Sequence, residues 1–215
     1  MIRPRRSMAV YAALLAVAVY ALMWVGYRQD WGWLHRIDWS MLNASRDTAL
    51  KHPAWLRCWE LLTNVLGPVP LRLLDTVAAV AALVWRNVRA ALLLSACGLF
   101  NGLVTQAAKA LADRPRPSTM LVPIAQTSFP SGHALETTAS LLALLAFVVP
   151  MMSAMMGRAA VAVSAVILVL VGFSRVALNV HYPSDVVAGW ALGYLYVLLC
   201  LAVFRPKPLP RWAFR

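Results

Sequence analysis

Charge is scarce in this chain, and acid scarcer still. Asp and Glu number 8 and Lys and Arg 20, so charged side chains make up 13% of 215 residues, against roughly 25% in a soluble domain. With 61% hydrophobic residues, a soluble globule is excluded and an all-α integral membrane protein is expected. Cysteine is rarer: Cys58, Cys97 and Cys200 are an odd, widely spaced set with no C-x-x-C. That excludes a disulfide framework and a zinc ribbon, and leaves them as packing residues. The carboxylates are too dispersed for a magnesium or zinc site, Asp113, Glu136 and Asp185 being far apart in sequence, so neither metal nor cofactor is expected. A net charge of +12 does not signal nucleic acid, because the basic residues are scattered at helix ends and form no tract with aromatic interleaving.

What is abundant is apolar sequence in long runs: residues 8–27, 69–85, 90–111, 133–150, 159–178 and 186–204. Most approach the ~20 residues that cross a bilayer as a helix. They predict six transmembrane helices in one domain over residues 1–215. If the helices alternate in direction, Arg3, Arg5, Arg6, Arg86, Arg89, Arg158, Arg205, Lys207, Arg211 and Arg215 share one side without an acidic neighbour. The positive-inside rule makes that side, with both termini, cytoplasmic. The first run ends in Trp24-Val25-Gly26-Tyr27 with no small-residue cleavage motif, which reads as a retained signal anchor.

Residues 28–68 differ from the rest. Trp31, Trp33, Trp39, Trp55 and Trp59 alternate there with mixed charge, the composition of an interfacial belt, so one or two short helices are expected at the outer surface, as a lateral gate or a plain anchor. His35 and His52 read as surface residues. Gly67 and Pro68 read as a turn in which Gly supplies a permissive backbone. Arg72 and Asp75 either stay near the interface or pair with each other. Gly189 and Gly193 have the small-x-x-x-small spacing of close helix approach, read as packing within the bundle with a dimer face as the alternative, and residues 205–211 form a basic, proline-rich tail suited to anionic lipid.

Three polar stretches remain. The third span ends in Lys109-Ala110-Leu111-Ala112-Asp113-Arg114-Pro115-Arg116-Pro117, where prolines stop the helix. The fourth begins with Pro130-Ser131-Gly132-His133, where Ser131 suits an N-cap and Gly132 permits close approach to a ligand. The fifth ends in Ser174-Arg175, and the sixth begins after His181-Tyr182-Pro183-Ser184-Asp185. By parity of crossings all these ends lie on one face, so the residues can converge. Lys109, Arg116 and Arg175, with the Ser131 and Gly132 backbone, suit a tetrahedral anion. Two histidines supply a nucleophile and a proton donor. Spacing alone leaves them interchangeable; Asp185, able to orient His181, favours His181 as nucleophile and His133 as acid. Glu136 either orients a helix end or a water, and Arg114 either adds charge or pairs with Asp113.

The patterns K-x6-R-P at Lys109 to Pro117, P-S-G-H at Pro130 to His133 and S-R-x5-H-x2-S-D at Ser174 to Asp185 together resemble the three-part signature of the type 2 phosphatidic acid phosphatase (PAP2) superfamily. The motifs occupy residues 109–185, and the six-helix layout extends the resemblance over most of the chain. The resemblance implies a metal-independent lipid phosphatase of a bacterial inner membrane, with its site at the periplasmic face. It implies a phosphohistidine on His181 supported by Asp185, with His133 as acid and then base, and phosphate held by Lys109, Arg116, Ser131, Gly132 and Arg175. The expected partners are a lipid phosphate or diphosphate and the bilayer. A lipid-to-lipid phosphotransferase keeps the same pocket, and an anion carrier is a non-enzymatic rival.

Overall fold

The computed structural model describes residues 6–206. Arg3, Arg5, Lys207, Arg211 and Arg215, with most of the basic tail, lie outside the described residues. The helices are α1 (Arg6–Arg28), α2 (Gly32–Lys51), α3 (Pro53–Leu66), α4 (Pro68–Val84), α5 (Val88–Gly98), α6 (Asn101–Ala112), α7 (Gly132–Val148), α8 (Ala154–Ala177) and α9 (Pro183–Phe204), with one 3-10 turn at Val149–Met151 and no strand among the described residues. Proline opens α3, α4 and α9, where its missing N–H costs no helical bond. Side chains of Asn87, Ser131 and Ser153 cap α5, α7 and α8 by accepting from the backbone N–H groups of Ala90, Ala134 and Met156.

Among the described residues six stretches are long and apolar enough to cross a membrane: Met8–Arg28, Pro53–Val84, Val88–Ala112, Gly132–Met151, Ala154–Ala177 and Pro183–Phe204. The second joins α3 to α4 across Gly67, so apolar sequence begins well before the run at residue 69. Gly67 has an ordinary extended backbone (φ −82°, ψ −168°). Its use is the missing side chain, since a Cβ there would collide with the Thr63 carbonyl. Residues 28–68 form two helices, α2 and α3, and α3 departs from the expected interfacial helix in that it belongs to the second apolar stretch.

The core follows from which faces are small and apolar. Ala79, Ala82, Leu93, Leu94, Cys97, Ala139, Ala143, Phe147 and Cys200 from α4, α5, α7 and α9 form the largest buried cluster. Cys97 and Cys200 pack as expected, whereas Cys58 is exposed on α3. Large apolar side chains such as Leu14, Leu15, Leu73, Val77, Val163 and Val166 are exposed on α1, α4 and α8, the outer surface that a bilayer would cover. Asp75 does not pair with Arg72: it is fully buried, beside Gly98 and Ser140.

The most extensive helix contact is between α7 and α9. Gly189 and Gly193 lie directly against the start of α7, facing Ser131, Ala134 and Leu135. This interface sets the distance between the helix that carries His133 and the one that begins just after His181.

Candidate active site

The end of α6, the start of α7, the end of α8 and the turn into α9 meet around a cavity of about 370 Å3. Lys109, Arg116, Gly132, His133, Arg175 and His181 line it, together with Arg72, Thr105, Gln106 and Glu136. Six of the eight predicted site residues are thus on one surface. Ser131 and Asp185 stand behind it, both wholly buried. Ser131 contributes through its neighbours: its hydroxyl caps α7, and its N–H donates to the Asp185 carbonyl at 2.9 Å.

The turn between α8 and α9 brings Arg175 and His181 together. Asn179 takes the left-handed conformation (φ 56°), which Asn tolerates better than most residues. The chain then folds back, and the N–H groups of Val180 and His181 both donate to the Arg175 carbonyl, at 3.1 and 3.2 Å. The side chain of Asn179 is fixed from two directions, donating to the Leu42 carbonyl at 2.8 Å and accepting from Thr119 at 2.6 Å.

His181 is 2% exposed. Its Nδ1 faces Asp185 Oδ2 at 3.4 Å, and its Nε2 faces Arg116 Nη1 at 3.2 Å. A carboxylate at Nδ1 fixes the proton there and leaves the Nε2 lone pair toward the cavity. Burial pushes the imidazole well below its usual range, to about 3, more strongly than Asp185 raises it, and Arg116 and Arg175 push the same way. At neutral pH the ring is therefore uncharged and has a lone pair to donate.

The cations are held largely by main chain. Lys109 donates to the Thr127 carbonyl, and Arg116 to the carbonyls of Gln126 (2.6 Å) and Val180 (2.5 Å). Arg175, 4% exposed, donates to Thr63 at 3.2 Å, while its Nε has no acceptor. Neutral acceptors leave most of the positive charge uncancelled, and this is what a phosphate dianion requires. Gly132 leaves little room for a side chain, since a Cβ there would press on Thr105 at 3.0 Å. Among the described residues no group of three or more His, Cys, Asp or Glu side chains could hold a metal ion.

Sequence reading alone misses three features. Arg72 pairs with Glu136 at 2.5 Å on the cavity wall, not with Asp75. Ser128 donates to Asp185 Oδ2. Arg114 pairs not with Asp113 but with Asp185 at 2.6 Å and Asp38 at 2.9 Å, and is itself buried. A charged residue retained next to a membrane-embedded motif is the signal that could have found it.

Comparison with known proteins finds relatives in both sequence and fold. Residues 90–208 match the PAP2 superfamily. The chain is 32% identical over 168 residues to a lipid A 1-phosphatase from Rhizobium etli, covering 73% of this chain and 68% of that protein. It is 41% identical over 91 residues to a decaprenylphosphoryl-5-phosphoribose phosphatase from Mycobacterium tuberculosis, covering 40% of this chain and only 45% of that protein. The crystal structure of a transmembrane PAP2 type phosphatidylglycerolphosphate phosphatase from Bacillus subtilis superposes with a TM-score of 0.79 at 23% identity, over 95% of this chain and all of that one, which shows the shared fold.

Proposed function

The chain belongs to the PAP2 superfamily and is a multi-pass membrane phosphatase, and we propose that it hydrolyses the terminal phosphate of a lipid phosphate or diphosphate through a phosphohistidine on His181. The observation that carries this reading is His181 held between Asp185 and Arg116 at the wall of a cavity lined with Lys and Arg.

The steps follow from the residues. Lys109, Arg116 and Arg175 draw in the phosphate and neutralise charge on its equatorial oxygens, a role that metal ions fill in other phosphoryl-transfer sites. His181 Nε2 attacks phosphorus as the P–O bond to the lipid breaks. His133, protonated, gives its proton to the departing oxygen. Asp185, accepting from Nδ1–H, stabilises positive charge that develops on the imidazole. Water then attacks the phosphohistidine while His133, now neutral, takes a proton from it. The P–N bond breaks, inorganic phosphate leaves, and His181 returns to its neutral form.

The lipid is read coarsely. The motifs touch only phosphate, and the cavity opens where four helix ends meet, so an acyl or prenyl tail can stay in the bilayer. We place the cavity at the periplasmic face of an inner membrane with both termini cytoplasmic, because Arg86, Arg89 and Arg158 all belong to the opposite ends of the spans. Asp30, exposed in the turn between α1 and α2, offers a check: after Asp30→Cys in a Cys58→Ser background, a membrane-impermeant thiol reagent should label the protein from outside intact spheroplasts, and labelling only after lysis reverses the orientation.

The test of function is to incubate purified protein with lipid phosphate carrying a labelled phosphorus. Release of inorganic phosphate and an acid-labile label on the protein, both absent in His181→Asn, are expected. Label passing to a second lipid without phosphate release would identify a phosphotransferase instead. Competition among purified lipid phosphates, compared by kcat/KM, identifies the substrate.

A further inference from the structure

We infer that Arg114 and Asp38 are positioning residues for the nucleophile, and that α2 is the brace through which they act. The inference rests on His181 being the nucleophile. It starts from the oxygens of Asp185. Oδ2 accepts from Ser128, from the Tyr182 N–H at 3.0 Å and faces His181 Nδ1; Oδ1 accepts from Arg114 Nη1 at 2.6 Å. Arg114 therefore holds the edge of the carboxylate that His181 does not use, and so sets which way the other edge points.

Arg114 is fixed in turn. Its Nη1 also donates to Ser184 Oγ at 2.8 Å and its Nη2 to Asp38 Oδ2 at 2.9 Å. Asp38 accepts from the Ser184 N–H at 2.9 Å and from its hydroxyl at 2.6 Å. The guanidinium lies over the rings of Tyr182 and Tyr27, at 3.9 and 4.7 Å from their centroids. Arg114, Asp38, Ser184 and Asp185 are all buried. A buried guanidinium that meets two carboxylates and two aromatic faces has one orientation open to it. Burial depresses its basicity, but Asp185 and Asp38 more than restore it, so it stays charged at any working pH.

The brace grips His181 from both sides in sequence. On one side Asp38 of α2 binds Ser184, and on the other the Leu42 carbonyl of α2 accepts from Asn179. These two ties, one helical turn apart on α2, enclose the turn that carries the nucleophile. The tryptophan-rich segment thus includes a helix that reaches into the catalytic apparatus, a role beyond gate or anchor. A second cavity of about 310 Å3, lined by Tyr27, His35, Trp39 and Tyr182, lies against Asp38 and Arg114. It gives small cations a route to the clamp.

The experiment compares wild type, Asp38→Asn, Arg114→Ala and the double variant with a turned-over lipid phosphate in mixed micelles, and Asp30→Asn as a control for charge near the same cavity. Misplacing a reacting group by about an ångström costs on the order of 100-fold. Arg114→Ala should therefore lose about 100-fold in kcat and Asp38→Asn about 10-fold, both with KM within twofold, and the double variant should be no slower than Arg114→Ala. Millimolar guanidinium should restore part of the kcat of Arg114→Ala in a saturable way, which a damaged fold does not do. Asp38→Asn, nearly isosteric, covers the case in which Arg114→Ala does not fold. Unchanged kcat in Asp38→Asn and Arg114→Ala, or a loss confined to KM, would overturn the inference while leaving the phosphatase reading intact. A wild-type protein that forms no phosphohistidine would overturn both.

Discussion

Replacing Gly189 by Ala adds one methyl group where two catalytic helices touch. The new Cβ would lie 2.7 Å from the Ser131 carbonyl oxygen, 2.8 Å from the Ala134 Cβ and 3.2 Å from the Leu135 nitrogen, where ordinary contacts are 3.4–4 Å. Two of the three obstacles are backbone atoms and the third is a Cβ, so no side chain can swing aside. The helices must part by roughly 1 Å, and overpacking of this kind costs about 1–3 kcal/mol. The displacement falls next to the chemistry: His133 adjoins Ala134 on α7, and Asp185 sits one turn before Gly189 on α9. It also pulls on the hydrogen bond from Ser131 N–H to the Asp185 carbonyl. A shift of that size between His133 and His181 is expected to lower kcat by on the order of 100-fold with a smaller change in KM. Thermal unfolding in detergent, followed by tryptophan fluorescence, measures the first effect and phosphate release the second. Gly32→Ala is the control, because nothing lies within 4 Å of its added methyl group. If Gly189→Ala matches Gly32→Ala in both unfolding and turnover, the tight α7–α9 contact does not govern the site.

Three further predictions follow from individual groups. His181→Asn should abolish turnover yet still bind inorganic phosphate within severalfold of wild type, and residual full activity would dismiss His181 as nucleophile. Because burial lowers His181 to about 3, its neutral form persists as pH falls and is lost only on passing through that value; kcat should hold on the acid side to about pH 4, and a loss centred near pH 6 with chemistry limiting would contradict the assignment. Ser128→Ala removes a donor to Asp185, at a cost of about 1 kcal/mol in stability and severalfold in kcat; an unchanged kcat would show that Asp185 needs no such support.

The fold was legible where its signals are local. Hydropathy marks the spans, prolines mark where helices start and stop, and parity of crossings sets Lys109, Arg116, His133, Arg175 and His181 at one end. The cavity contains all five. Less legible were contacts between residues distant in the chain. Arg72 and Asp75 lie three apart on a helix, a spacing that suggests a pair, but α7 presents Glu136 to Arg72, and Asp75 turns into the bundle. Arg114 had Asp113 beside it in sequence, yet adjacent residues on a chain point apart, and its partners stand 71 and 76 positions away. The role of α2 was hidden for the same reason: composition describes the surface of a helix and says nothing of one aspartate on its buried face.

The main-chain anchoring of Lys109 and Arg116 bears on how such a protein diversifies. Their acceptors are the carbonyls of Thr127, Gln126 and Val180, groups that every amino acid supplies alike. So long as the path of the backbone is kept, Ile124 and Gln126 on the cavity wall can be exchanged without moving the cations. On the proposed function, the wall of the cavity is thereby uncoupled from the cations that would hold phosphate. Evolution can retool one without disturbing the other, and the three different lipids in the names of the relatives are what that division of labour would produce.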